Sequence, residues 1–281
     1  MKATCILFVF SFCIHPLFSQ QPARLVVRGD DMGYSHSGNV ALVKSFQEGI
    51  ERSIEVIVPS PWFPEAVQLL KTIPDADIGV HLALTSEWDN VKWRPITDCP
   101  SLKDSNGYFF PMVYPNKNYP GKSIKENDWK IEDIEKEFRA QIEIAKKYIP
   151  NLTHLSSHMG CTDLNFQVTE LTARLAKEYR LEVDLDKHQV KWIGYGKGPR
   201  TTSAEKISSF IQELNRMKPG NTYVFVDHPG IDGPELRAIH HVGYENVAQD
   251  RQGVTDLFTD PAVKAAIKKN NVLLISYKDL K

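Results

Sequence analysis

The chain has 281 residues, of which 42% are hydrophobic and 25% charged, with 34 Lys and Arg against 35 Asp and Glu. That is enough apolar mass for a large core. A formal net charge of −1 gives no basic surplus for a nucleic-acid surface and no polybasic run for a membrane patch, so neither partner is expected of the mature chain.

The first residues, "MKATCILFVFSFCIHPLFSQQPA", join one lysine to an apolar run and a small polar stretch. Residues 1–20 read as a signal peptide cleaved near Ser19 or Gln20, which implies a secreted or periplasmic protein. The apolar run from Cys5 to Ile14 is too short to span a bilayer comfortably, and Phe12 before Cys13 is not the small residue that lipid attachment favours. Cleavage leaves Cys99 and Cys161, which make no disulfide framework, and no CxxC motif offers a zinc-thiolate site.

Beyond the leader, residues 24–28 read as a strand and 37–48 as a helix. A strand at 53–58 precedes a helix at 64–72, with Ser60 and Pro61 before it, and a strand at 77–84 follows. Then come a helix at 131–148, a strand at 153–158, a helix at 165–179 and a strand at 181–185. The last third reads as a helix at 203–217, a strand at 222–226, a helix at 261–269 opened by Asp260 and Pro261, and a strand at 272–276. Such alternation predicts an α/β fold with a parallel sheet, and about seven β/α units favour a TIM-like barrel over an open sheet. No GxGxxG follows the first strand, and "GYGKG" at 194–198 lacks the ending of a phosphate loop. Two long connections, 85–130 and 228–252, interrupt the pattern; loops of that length are usually functional. The first carries Trp88, Trp93, Tyr108, Phe109, Phe110 and Tyr114, and exposed aromatics over a cleft would suit stacking on sugar rings.

In a parallel barrel, chemistry gathers where the strands end. The first strand ends in "RGDDMG", with Asp30 and Asp31; the third carries His81; the fourth, "THLSSH", ends in His158; a late one ends in Asp227 and His228. Alternation along an extended strand puts His154, Ser156 and His158 on one face and sends Asp30 and Asp31 opposite ways, so the two aspartates should have different jobs. One carboxylate and two imidazoles suit a hydrolytic divalent ion, which makes clustered carboxylates tolerable and lowers the pKa of a bound water toward about 7. The neighbouring aspartate could then accept a proton and His228 could deliver one. Taken singly, each residue has a plainer role: an aspartate capping the following helix, a histidine in a core, His36 at a helix start, His240 and His241 in solvent.

The stretches "DDMGYSHSGNVAL", "GVHLALTSEW", "THLSSHMG" and "VDHPG" resemble, in order, the YdjC-like carbohydrate deacetylases, which include chitooligosaccharide deacetylases. The resemblance implies a distorted (β/α) barrel with long active-site loops, filling 21–281 as a single domain, that removes acetyl groups from amino sugars or small oligosaccharides. It further implies one divalent ion, zinc or magnesium, on Asp31, His81 and His158. Asp30 corresponds to the general base, His228 to an acid or oxyanion partner, and Arg94 in "WRP" to an arginine near the site's mouth; Trp88 and Trp93, from the aromatic loop before it, are candidate sugar contacts. Many members have an acidic residue where this chain has Ser156, so the orientation of the imidazole ligands is expected to lack a charge there. Which aspartate holds the metal stays open at this level, as does a homo-oligomer. A different metal hydrolase of an ester, amide or phosphate, and a non-catalytic carbohydrate-binding barrel, are the alternatives.

Overall fold

The computed structural model describes residues 21–281, so the signal-peptide expectation falls outside the described residues. Among the described residues seven strands form one sheet: β1 (Ala23–Met32), β2 (Ser53–Val56), β3 (Asp77–Leu82), β4 (Leu152–Ser157), β5 (Lys191–Ile193), β6 (Thr222–Asp227) and β7 (Val272–Ile275). Their order is β4-β3-β2-β1-β6-β5, with β7 also on β1, and every pairing is parallel. Helices α1 (His36–Glu48), α2 (Phe63–Leu70), α3 (Ile131–Tyr148), α4 (Phe166–Tyr179), α5 (Ser203–Leu214), α6 (Pro234–Arg237), α7 (Val247–Thr259) and α8 (Pro261–Lys269) cover it. The architecture is the expected distorted TIM-like barrel. Its centre is β1, where Leu25, Val26 and Val27 are wholly buried, as an unbroken apolar run in a parallel sheet demands.

Among the described residues no ladder joins β4 to β5, so the barrel is open along that seam. Residues 181–185, expected as a strand, are irregular, and the strand in this part of the chain is β5, further on. Val183 and Leu185 find apolar cover against Val26, Val224 and Tyr277 and thus satisfy their alternating pattern without a strand partner. A cavity of about 640 Å³ lies in the seam, lined by Leu155, Ser156, Leu181, Val183 and Trp192 among others.

The connection at 85–130 holds only two short turns of 3₁₀ helix. Here the expectation of an exposed aromatic platform is corrected: Trp88, Trp93, Phe109 and Phe110 all belong to the core. A long loop without regular structure must bury its own apolar side chains to offset the entropy of ordering it. The second connection, 228–252, is not a plain loop, because it contains α6 and the start of α7. Cys99 and Cys161 are both buried and free.

Candidate metal centre

β1 delivers both aspartates, but not in the alternating way an extended strand would. The pairing of β1 with β2 slips between Gly29 and Met32, and Asp31 adopts a left-handed φ of 71°. Asparagine and aspartate tolerate that region better than most side chains, yet a non-glycine residue held there is strained. The kink overturns the parity argument: Asp30 Oδ2 and Asp31 Oδ1 both lie 3.6 Å from His81 Nε2. The two carboxylates converge, and what separates their roles is their partners.

Asp30 is clamped by Arg28, whose Nε donates to Oδ1 at 2.7 Å and whose Nη2 donates to Oδ2 at 2.8 Å. Asp31 Oδ2 accepts from Arg251 Nη2 at 2.9 Å, whereas Asp31 Oδ1 is buried without a hydrogen-bond partner. Around that free oxygen stand His81 Nε2 and His158 Nδ1, the latter at 3.1 Å but without hydrogen-bond geometry. One ligand atom from each of Asp31, His81 and His158 lies within 4.8 Å of the others, and all three side chains are buried. An orphaned carboxylate oxygen facing two imidazole nitrogens is what a His₂Asp metal site requires, so these residues fit a divalent ion.

The outer nitrogens of both rings are tied. His158 Nε2 meets Glu87 Oε2 at 3.0 Å, and His81 Nδ1 meets Ser156 Oγ at 2.7 Å. Ser156 donates in turn to Glu55 Oε2, a buried carboxylate of β2 whose Oε1 lies 2.5 Å from His154 Nε2. The charge expected to be missing at Ser156 therefore stands one residue behind it.

The electrostatics divide the site. Burial, helped by the positive charges of His158 and Arg28, outweighs the Asp30 and Asp31 carboxylates and takes His81 down to about 4, so this ring is neutral at ordinary pH. Burial also opposes charge on His158, but the Glu87 and Asp31 carboxylates outweigh it and carry the ring up to about 10. For Asp31, burial is overcome by His228, His158 and Arg251, which hold it well below the usual carboxylate range. Glu55 follows the same pattern, burial being outweighed by His154 and Arg28, and falls to about 2.

His228 follows the last residue of β6. Its Nε2 lies 3.8 Å from Asp31 Oδ2 and its Nδ1 3.5 Å from Asp227 Oδ1, with 40% of the side chain exposed. Desolvation of its inner edge is outweighed by these two carboxylates, which raise its pKa above the ordinary value.

Other candidates fall elsewhere. Trp88 is 1% exposed and packs against Tyr34, His241 and Tyr244, and Trp93 is 3% exposed with its ring 6.3 Å from that of His158. Both wall the site from behind, so neither offers an open face to a sugar, contrary to expectation. Arg94 folds back over the Tyr108 ring, 4.1 Å from its centre, and points its Nη2 toward the Asn106 carbonyl; its contacts lie within its own loop. His36 sits at the start of α1 against Glu65, and His241 is half-buried on Trp88 rather than solvated.

Sequence reasoning missed Glu55, Glu87 and Arg251. Glu87 stood within the quoted "GVHLALTSEW", and Glu55 is a lone acid between Ile54 and Val56, a readable oddity. Arg251 lay in a stretch taken for loop.

A family model described as YdjC-like protein matches residues 24–269. A carbohydrate deacetylase of Thermus thermophilus is 30% identical over 244 residues, covering 76% of this chain and 80% of its own. One from Geobacillus stearothermophilus is 27% identical over 269 residues, covering 92% and 98%. Among solved structures, a candidate cellobiose-phosphate cleavage protein of Enterococcus faecalis superposes with a TM-score of 0.73 at 21% identity, over 92% of this chain and 99% of that one, a likeness of fold. With its barrel, its convergent aspartates and histidines, and a family match spanning nearly all the described residues, the chain belongs to the YdjC-like family.

Proposed function

We propose that this protein is a metal-dependent hydrolase that removes acetyl groups from N-acetylated amino sugars or small oligosaccharides. The observation that carries the reading is the buried set of Asp31, His81 and His158 around an unpartnered carboxylate oxygen, in a chain whose relatives include carbohydrate deacetylases. A divalent ion on those three residues, zinc or magnesium, supplies an acidified water and polarises the acetamide carbonyl.

The chain's own groups do the rest. Arg28 holds the Asp30 carboxylate in one orientation beside His81, where it can accept the proton of the attacking water. Arg251 holds Asp31 by its far oxygen and leaves the near one to the metal. His228, whose pKa Asp31 and Asp227 raise and which is partly open to solvent, donates a proton to the amine nitrogen as the C–N bond breaks, releasing acetate and a free amino sugar. The burial of Trp88 and Trp93 takes away one of the two motives for a purely carbohydrate-binding barrel, and the Glu55 carboxylate behind Ser156 speaks against the other. The leader at residues 1–20 supports a secreted or periplasmic setting, which N-terminal sequencing of the exported protein checks.

Acetate release from N-acetylated oligosaccharides, measured before and after chelation and again after zinc or magnesium is restored, tests the reading. We expect activity to vanish on chelation and return with one of the two ions. Turnover indifferent to the chelator sinks the metal mechanism, and turnover only on non-sugar esters or phosphates sinks the substrate.

A further inference from the structure

We propose that Glu55, acting through Ser156, is a positioning residue that fixes the tautomer of His81 and so aims the lone pair of Nε2 at Asp31. The argument is one of proton counting. Glu55 is fully buried, with Oε1 against His154 Nε2 and Oε2 receiving a hydrogen bond from the Ser156 hydroxyl. A hydroxyl has one proton to give, and Ser156 gives it to Glu55. Its remaining contact, His81 Nδ1 at 2.7 Å, must therefore be one in which the serine oxygen accepts. His81 then carries its proton on Nδ1, and in the neutral ring that any metal-binding imidazole must be, Nε2 is left with its lone pair. That nitrogen is the one 3.6 Å from Asp31 Oδ1.

Without Glu55 the hydroxyl is free to turn and donate to Nδ1 instead, which moves the ring proton onto Nε2 and blocks the ligand position. The carboxylate thus acts at a distance of one side chain, and it is reached from a different strand than either histidine. β3 makes room for it at Gly79, where an added Cβ would fall 2.1 Å from Glu55 Oε2 and 2.5 Å from His154 Nε2.

The assignment rests on reading Asp31, His81 and His158 as a metal-holding set, and its test separates the two ideas. In metal-stripped protein labelled with ¹⁵N at histidine, long-range ¹H–¹⁵N spectra report which ring nitrogen of His81 is protonated. We expect Nδ1–H in the wild type and a loss of that preference in Ser156→Ala. Calorimetric titration with Zn²⁺ should show affinity weaker by about 10–100-fold in Ser156→Ala, restored in Ser156→Thr, which keeps the hydroxyl. Glu55→Gln should lower affinity with Ser156 intact; if its circular dichroism shows it unfolded, the serine pair decides. A wild-type His81 protonated on Nε2, or Ser156→Ala binding Zn²⁺ as tightly as wild type, overturns the proposal. A wild type that shows Nδ1–H but binds neither Zn²⁺ nor Mg²⁺ overturns the metal reading and leaves the tautomer assignment standing.

Discussion

Glu87 and Glu51 show how differently a buried carboxylate behaves with and without a partner. Glu87 is 3.0 Å from His158 Nε2 and fixes how that ring is turned. Glu87→Gln is expected to cut zinc affinity about tenfold or more with the fold intact, measured by titration of metal-free protein. Glu51 has both oxygens buried and unpartnered. Burial, then the like charge of Asp30, raises its pKa well above the usual value and so favours its protonated form in the fold. A carboxyl raised in this way favours the fold below its unfolded pKa of about 4.3, and that contribution is lost as pH rises through the folded value. Glu51→Gln, which cannot ionise, should therefore gain about 2–4 °C in Tm at neutral pH, and the gain should vanish near pH 4. Thermal melts of both proteins across that range check the sign.

At the scale of elements, the bulge in β1 and the gap over Gly79 decide what the strands can present. Gly79→Ala would push a methyl group into the Glu55–His154 pair, whose atoms are held by hydrogen bonds on both sides. We expect a loss of about 1–3 kcal/mol by chemical denaturation, from overpacking of a site that has no slack. The same elements show what was legible. Apolar periodicity places α3 and α8 at their true ends, because Ile131–Tyr148 carries a clear buried stripe and Pro261 with Asp260 marks a start. It fails at α7, where the buried face includes Arg251, Gly253 and Thr255, polar or small residues chosen by the site and by close packing on Lys206 of α5. It fails also at Asp30 and Asp31, since a single left-handed residue defeats a rule that assumes an extended strand. Residue types at strand ends named His81, His158 and His228 as candidates. Their outer partners, Glu55 and Glu87, come from other segments and are tied by contacts that no local pattern encodes.

For the whole molecule, the ligand-bearing and proton-bearing strands are all neighbours. β3, β2, β1 and β6 form one continuous ladder, and His158 follows β4 at its end. Backbone amide exchange should accordingly be slowest in β1, which has ladder partners on both sides, and fastest among the strands in β5, three residues paired along one edge. Exchange equally slow in β5 would mean that the seam is closed in solution. The opening between β4 and β5 lies across the barrel from β1 and breaks no bond of the ladder that carries the site. The two edges of the seam are therefore unequal: β5 carries none of the ligands and can move without spreading Asp31 from its histidines, whereas β4 leads directly into His158 and cannot.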